Sequence, residues 1–500
     1  MIAPSYTAIL LFVLAPGLVF SLVFLEPIPA ALAAALSAAS VATTLARTNW
    51  RLRPDWRLLG GATSVAAFLT LVSGVGHLVY QTDDWTVRDA LLLDLVRYPW
   101  PIPYALDSFS GVLRAPIGMY LVPALVGKAF GAGAAEAALF AQNTALMALC
   151  FYVFARTAVF GRARWIVLGL FVIFSGLDCL AWAKRLYDGT PDNLLLPHLD
   201  PWPGFFQFSS HVTQVLWVPH HALAGWTFIA AYQAWRMGRL PALLMCPLWA
   251  LTILWSTLPA FGAIPFLLFA LASDLRDGKI RIGDFVSAAL AGLGVLPVVI
   301  YITRDTAGLP QGFLDFTNMT VVQSYVAMML VKVAPWLALA WEARDRKDGR
   351  TRWELAIIAL VLAILPIYKI GIANDFVMRA SIPALALLCL RAAPAFATLG
   401  AQPIRQRVLA VAIVVLGAVT PAVEIARNIT GKAEAASICN VWESLEDGPA
   451  AGTPRDYYIA SDKSMAVIPH LFRQPSSQPK TLRVHECWPG RSFVYRRPGT

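Results

Sequence analysis

Residues 81–103 read QTDDWTVRDALLLDLVRYPWPIP, and they follow directly on an apolar segment at residues 58–80. The stretch contains four aspartates, namely Asp83, Asp84, Asp89 and Asp94. Charged residues make up only 14% of the chain, whereas soluble domains average about 25%. An apolar segment that opens into a carboxylate-rich loop predicts a membrane span whose end delivers the chain into water.

Apolar segments of membrane-spanning length recur outside this stretch. Hydrophobic residues account for 58% of the 500 residues, with a mean hydropathy of +0.61. A helix needs about 20 apolar residues to cross a bilayer. We therefore expect an all-α polytopic membrane protein with about thirteen transmembrane helices. The expected spans are residues 7–25, 28–46, 58–80, 134–155, 165–183, 219–235, 241–256, 259–272, 285–302, 322–341, 355–370, 380–398 and 408–426.

Lysine and arginine concentrate in alternate loops, which predicts the orientation. The basic loops lie near residues 47–57, 156–164, 236–239, 273–284, 342–354 and 399–407, and the positive-inside rule makes them cytoplasmic. The first outer loop (81–133), the second outer loop (184–218) and the C-terminal tail then face the other side. The net charge of +10 reflects topology and contact with the lipid bilayer, and no nucleic-acid partner is expected.

Two units follow from this topology. Residues 1–426 form a transmembrane module, and residues 427–500 form a small extracytoplasmic tail domain. In the first outer loop, residues 84–98 read as a surface helix with Asp89 and Asp94 on its polar face. Prolines end that helix, and residues 115–130 read as an apolar helix at the membrane surface.

The six cysteines fall into two groups. Cys150, Cys179, Cys246 and Cys389 lie in or next to expected spans, as small buried apolar residues do. Cys439 and Cys487 lie in the polar tail, where an oxidising compartment favours pairing. We predict a Cys439–Cys487 disulfide.

The adjacent acids Asp83 and Asp84 are the first candidates for chemistry. Neighbouring carboxylates repel unless a cation or a proton relieves them. One can act as a general base for a hydroxyl, or both can hold a divalent cation such as Mg²⁺ or Mn²⁺. The alternative is that they cap the helix and complement its dipole.

This order of elements carries a resemblance. A span, an outer loop that opens on an acidic pair, an amphipathic helix, a proline break and a short apolar helix resemble the GT-C superfamily of polyprenyl-phosphate-sugar glycosyltransferases. The segments WVPHH at 217–221 and NDFVMRASIPAL at 374–385 are similar to those of bacterial membrane proteins with this layout. The chain departs from the superfamily in having two spans before the acidic loop and a small tail.

The resemblance implies an inverting transfer of a sugar from a polyprenyl-phosphate-linked donor. The acceptor would be a glycan, a lipid or a protein of the cell envelope. Asp84, or Asp83, would be the catalytic base. The protein would lie in a bacterial inner membrane, with its active site and C-terminus periplasmic.

Several basic residues of the outer loops are candidates to bind the donor phosphate, because an Arg fork matches phosphate oxygens. They are Arg379, Lys184, Arg185, Arg304 and Lys369. Asn374 and Asp375, which precede Arg379, are expected at the cavity. The alternative for this segment is a helix cap and an arginine that extends to the membrane surface.

The second outer loop contains most of the histidines and further acids. Its irregular sequence suggests a cavity beneath both loops. The candidate substrate or cavity residues are His211, His220, His221, Asp188, Asp192 and, from the first loop, Trp85. Metal binding, hydrogen bonding to a sugar and polar capping of a span remain alternatives for the histidines.

Other function classes remain open. An O-antigen polymerase or ligase also has many spans and long periplasmic loops. A lipid-linked substrate transporter or flippase would place essential charges in the middle of its spans, whereas most spans here have charges only near their ends. A non-catalytic membrane scaffold is a further alternative.

Overall fold

The computed structural model describes residues 3–47, 54–106, 109–158, 161–187, 198–433, 435–446, 453–475 and 487. The structure is 72% helical with little sheet. Helices α1 to α11 are Ala3–Phe24, Pro27–Ala46, Trp56–Val72, Trp85–Arg97, Gly118–Phe130, Ala132–Ala158, Arg164–Ile173, Asp178–Tyr187, His211–Trp217, Pro219–Arg236 and Cys246–Thr252. Helices α12 to α22 are Thr257–Arg276, Ile282–Thr303, Met319–Met328, Ala334–Ala343, Gly349–Ile364, Asp375–Ala380, Ile382–Ala397, Ile404–Gly417, Val419–Thr430, Val441–Glu446 and Asp462–Met465.

Nine helical stretches in the described ranges are long and apolar enough to cross a membrane. They are Ser5–Phe24, Pro27–Ala46, Ala132–Ala158, Arg164–Lys184, Thr257–Arg276, Ile282–Thr303, Met319–Ala343, Asp375–Ala397 and Ile404–Thr430. Each coincides with one of the expected spans, so the chain is a mainly helical, membrane-embedded protein.

The other four expected spans are shorter or less apolar helices. Helices α10 and α16 have 18 and 16 residues, and 241–256 contains the short apolar helix Ala242–Thr252. Helix α3 ends at Val72 rather than near residue 80. The chain turns away there through Gly74 and Gly76, whose φ angles are +88° and +84°, a conformation that glycine adopts at little cost.

Helix α4 is a buried helix, and the expectation that Asp89 and Asp94 form an exposed polar face is wrong. Their exposed fractions are 4% and 0%, because helices α5, α6 and α21 pack around α4. Asp94 Oδ2 accepts hydrogen bonds from Tyr104 Oη at 2.6 Å and from the Val441 amide at 2.9 Å. Burial raises the pKa of Asp94 to about 7.

A small sheet joins the first outer loop to the tail. Strands β1 (Pro103–Leu106), β2 (Phe109–Leu113) and β5 (Ile459–Ser461) pair antiparallel in the order β1-β2-β5. Strands β3 (Gln311–Phe313) and β4 (Tyr368–Ile370) form a second antiparallel pair. The tail also holds the Cys439–Cys487 disulfide expected from the sequence. Because β5 of the tail pairs with β2 of the first loop, the tail packs against that loop.

Candidate active site

A cavity of about 310 Å³ lies where four parts of the chain meet. Asp83, Asp84, Val87 and Arg88 contribute its first wall. The other walls come from residues within 198–218, 372–379 and 453–458. The first loop, the second loop, the start of α17 and the tail thus converge on one site.

Asp84 is a partly exposed acid of the first wall. It precedes α4, yet its side chain makes no capping hydrogen bond to the helix in the described structure. Instead its Oδ2 lies 3.0 Å from Arg88 Nη2, and 41% of its side chain is exposed. The capping explanation therefore does not account for Asp84, whose carboxylate faces the cavity beside Asp83.

Arg88 is a site residue that sequence reasoning missed. Its side chain is 6% exposed, and its second guanidinium nitrogen, Nη1, donates to the carbonyl of Trp217. The i,i+4 spacing of Asp84 and Arg88 on one helix face was the signal that could have identified it. This guanidinium compensates the charge of Asp84 at the cavity wall.

Another wall of the cavity contains a second acid–arginine pair. Asp375 Oδ1 lies 2.8 Å from Arg379 Nη2, one helical turn away on α17. The Tyr457 hydroxyl of the tail donates to Asp375 Oδ2 at 2.8 Å and accepts from the Ile372 amide at 2.8 Å. Burial and the adjacent Asp375 charge raise the pKa of Tyr457 above its usual value, so Tyr457 remains a hydrogen-bond donor.

Asn374 fixes the start of α17, which carries this wall. It adopts a left-handed conformation with φ +59°, and its side-chain amide donates to the Phe205 carbonyl at 2.9 Å. Its side-chain oxygen caps α17 by accepting from the Val377 amide. Asn374 therefore orients the helix that carries Arg379.

The other basic residues expected to bind phosphate lie elsewhere or outside the described atoms. Lys369 lies over the ring of Phe205 at 3.9 Å, Arg304 follows the end of α13, and Lys184 lies on α8. The side chain of Arg185 and all of Asp188 and Asp192 fall outside the described residues. Of the described members of the expected set, Arg379 alone lines the cavity.

The second loop contributes a stacked pair to the cavity. His198 and Trp217 stack with ring centroids 4.4 Å apart, and both bind Glu424, through His198 Nδ1 at 2.7 Å and Trp217 Nε1 at 2.9 Å. Arg427 also pairs with Glu424. Sequence reasoning missed Glu424 and Arg427, although acids within spans are functional candidates by default.

Other expected cavity residues belong to the protein core. The His211 ring packs between Phe171 and Phe174, and its Nδ1 lies 2.8 Å from the Phe171 carbonyl oxygen. The indole of Trp85, 1% exposed, donates to the Leu216 carbonyl at 2.9 Å. These residues position the walls rather than line the cavity.

His220 and His221 lie in the core at the start of α10. Their ring centroids are 3.8 Å apart, and His221 Nδ1 lies 2.5 Å from Ser256 Oγ. Their exposed fractions are 7% and 5%. His221 therefore joins α10 to the residue that precedes α12, and the His220 ring centroid lies 6.3 Å from that of Tyr120 on α5.

A buried ion cluster lies beneath the second loop and is an exception to the expectation that most spans carry charge only near their ends. Lys332, in a π-helical turn at Met329–Val333, lies 2.8 Å from Asp178 Oδ1 and 2.9 Å from Asp200 Oδ1. Thr213, which lines the cavity, donates to Asp200 Oδ2 at 2.6 Å. The cluster thus connects the membrane helices to the cavity wall.

Comparison with known proteins yields no match to a family model, a curated protein or a solved structure.

Proposed function

We propose that the chain is a GT-C-like membrane glycosyltransferase that moves a sugar from a polyprenyl-phosphate donor to an extracytoplasmic acceptor. One observation supports this proposal above the others. A single cavity contains two carboxylates on one wall, Asp83 and Asp84, and an arginine on each of two walls, Arg88 and Arg379. Sugar transfer from a lipid phosphate requires a base for the acceptor and positive charge for the departing phosphate.

In the proposed reaction, Asp84 takes the proton of an acceptor hydroxyl, with Asp83 as the alternative base. The acceptor oxygen forms a bond to the anomeric carbon as the bond from that carbon to the phosphate oxygen breaks. Attack from the opposite face inverts the anomeric configuration. The leaving polyprenyl phosphate keeps the bonding electron pair, and its new charge lies between Arg379 and Arg88.

The remaining walls have supporting roles in this proposal. Asp375 and Tyr457 hold Arg379 in place through the ion pair and the hydrogen bond described above. The stacked His198 and Trp217 offer an apolar face and ring edges to a sugar. The donor lipid would lie among the membrane helices, and the cavity would face the periplasm of a bacterial inner membrane.

The test is a transfer assay with purified protein and short-chain polyprenyl-phosphate sugars, with membranes of the expression host as acceptors. Mass spectrometry would measure the released polyprenyl phosphate. General-base catalysis contributes about 10²–10⁴-fold in rate, so Asp84→Asn should lose about that much turnover while the protein remains folded.

Asp315→Asn is the matched control, because Asp315 is a loop acid that binds Thr317 outside the cavity wall. Its turnover should equal that of the unmodified protein. Full turnover in both Asp84→Asn and Asp83→Asn would contradict the proposal, as would the absence of phosphate release with every donor tested.

Ion-coupled transport is a second candidate, and the buried Lys332 cluster favours it. Lys332, Asp178 and Asp200 are each at most 2% exposed. Buried acidic and basic groups of this type carry protons through the membrane in transporters. Proton uptake by proteoliposomes that is abolished in folded Lys332→Met protein but unaffected by Asp84→Asn would support transport and count against glycosyl transfer.

A further inference from the structure

Three ligand-type side chains converge beside α4. His77 comes from the turn after α3, Asp89 from the middle of α4, and Glu136 from the first turns of α6. His77 Nε2 lies 3.9 Å from Asp89 Oδ2 and 3.8 Å from Glu136 Oε1. All three ligand atoms lie within 4.8 Å of one another.

These separations suit a shared ion better than direct contacts. They exceed the hydrogen-bond distances of about 2.7–3.2 Å. Two ligand atoms that each lie about 2.1 Å from one metal ion are about 3.0–4.2 Å apart, depending on the angle between them. A small adjustment of the side chains therefore brings all three atoms into the first coordination sphere of one ion.

The cluster also places two carboxylates close to one imidazole. Asp89 is 4% exposed, and the side chains of Glu136 and His77 are 20% and 16% exposed. Two carboxylates in such a setting repel unless positive charge relieves them. A cation held between them would relieve that repulsion.

A further observation comes from Tyr120 on α5. Its side chain is buried, at 2% exposed, and its hydroxyl has no hydrogen-bond partner among the described residues. Arg88, Tyr458, Asp89 and Glu136 are all close enough to act on that hydroxyl electrostatically. A water molecule on an ion between the two carboxylates would give it a partner.

We propose that His77, Asp89 and Glu136 bind one divalent transition-metal ion, Zn²⁺ or Mn²⁺, with water in the remaining positions. One imidazole nitrogen and two carboxylate oxygens form a ligand set that both ions accept. The ion joins the turn after α3, the middle of α4 and the first turns of α6. It thereby fixes the helix that presents Asp84 and Arg88 to the cavity, whatever reaction the cavity performs.

The experiment uses the full-length protein in detergent with any affinity tag removed. After treatment with a chelator and desalting, Zn²⁺ is added and the bound metal is measured by mass spectrometry and by calorimetric titration. The unmodified protein should retain one equivalent of Zn²⁺ and unfold at a higher temperature than its metal-free form. Co²⁺ in place of Zn²⁺ should give a visible absorption spectrum that reports the ligand geometry.

Glu136→Gln preserves side-chain volume and should lower Zn²⁺ affinity at least tenfold, as should His77→Ala. His470→Ala removes an exposed histidine of the tail and should leave one equivalent bound. If the unmodified protein takes up no Zn²⁺ or Mn²⁺, the proposal is overturned. It is equally overturned if Glu136→Gln and His77→Ala both bind Zn²⁺ with unchanged affinity.

Discussion

Replacing Lys332 by methionine should destabilise the protein strongly, because the ammonium group is the shared partner of two buried carboxylates. Besides Asp178 and Asp200, Lys332 Nζ donates to the Phe208 carbonyl at 2.9 Å. The side chains of the three ionisable groups are at most 1% exposed. Removing one partner of a buried ion pair costs about 3–5 kcal/mol.

The lower end of that range is expected, because both carboxylates keep other donors. Trp202 Nε1 donates to Asp178 at 2.6 Å, and Thr213 Oγ1 donates to Asp200 at 2.6 Å. We therefore expect Lys332→Met to lose about 3 kcal/mol of unfolding free energy. Unfolding in mixed micelles with a rising fraction of SDS, followed by tryptophan fluorescence, would measure this loss.

A double variant separates charge from packing. Lys332→Met combined with Asp200→Asn removes one negative charge with the positive one, so its loss should be smaller than the sum of the two single losses by about 0.5–3 kcal/mol. Lys279→Met, which removes an exposed lysine paired with Asp277, should leave the unfolding free energy unchanged. A Lys332→Met protein as stable as the unmodified one, or strictly additive losses, would refute the reasoning.

Three further predictions concern stability. Because burial raises the pKa of Asp94 to about 7 from about 3.9 in the unfolded chain, the folded state binds more protons between these values. Stability should then fall as pH rises from about 4 to about 7. In Asp94→Asn this decline should be absent, as thermal unfolding across that pH range would show. In Gly262→Ala the new Cβ would clash with a backbone carbonyl oxygen of α17, so the variant should lose about 1–3 kcal/mol of unfolding free energy. Gly292→Ala is the control and should keep its stability, because no atom lies within 4 Å of its new Cβ. Cys487→Ser removes the disulfide bond to Cys439, which lies 48 residues away in the sequence. The variant should lose about 2–4 kcal/mol of unfolding free energy, and faster proteolysis of the tail would reveal this loss.

The sequence predicted the elements whose signals are local. The proline run and the acidic start bounded a helix at residues 84–98, and α4 is Trp85–Arg97. The NDFVMR segment predicted a helix start with an arginine near the cavity, and α17 places Arg379 there. The length of apolar segments similarly predicted the nine long helices.

Residues whose environment comes from distant parts of the chain were harder to predict. Asp94 looked like a surface residue because its partner amide, Val441, lies 347 positions away. The Glu424 carboxylate binds His198 and Trp217 across more than 200 positions. Helical periodicity reports which residues share a face of a helix, but it does not report which distant segment covers that face.

The pairing of β2 with β5 has a consequence for how the molecule is made. Thr453, Tyr457 and Tyr458, which complete the cavity wall, are translated after every membrane helix described above. When all of those helices have entered the bilayer, the residues of this wall have not yet been translated. The site therefore assembles only after those helices have been synthesised, so a nascent chain cannot hold a complete cavity while they are still being inserted.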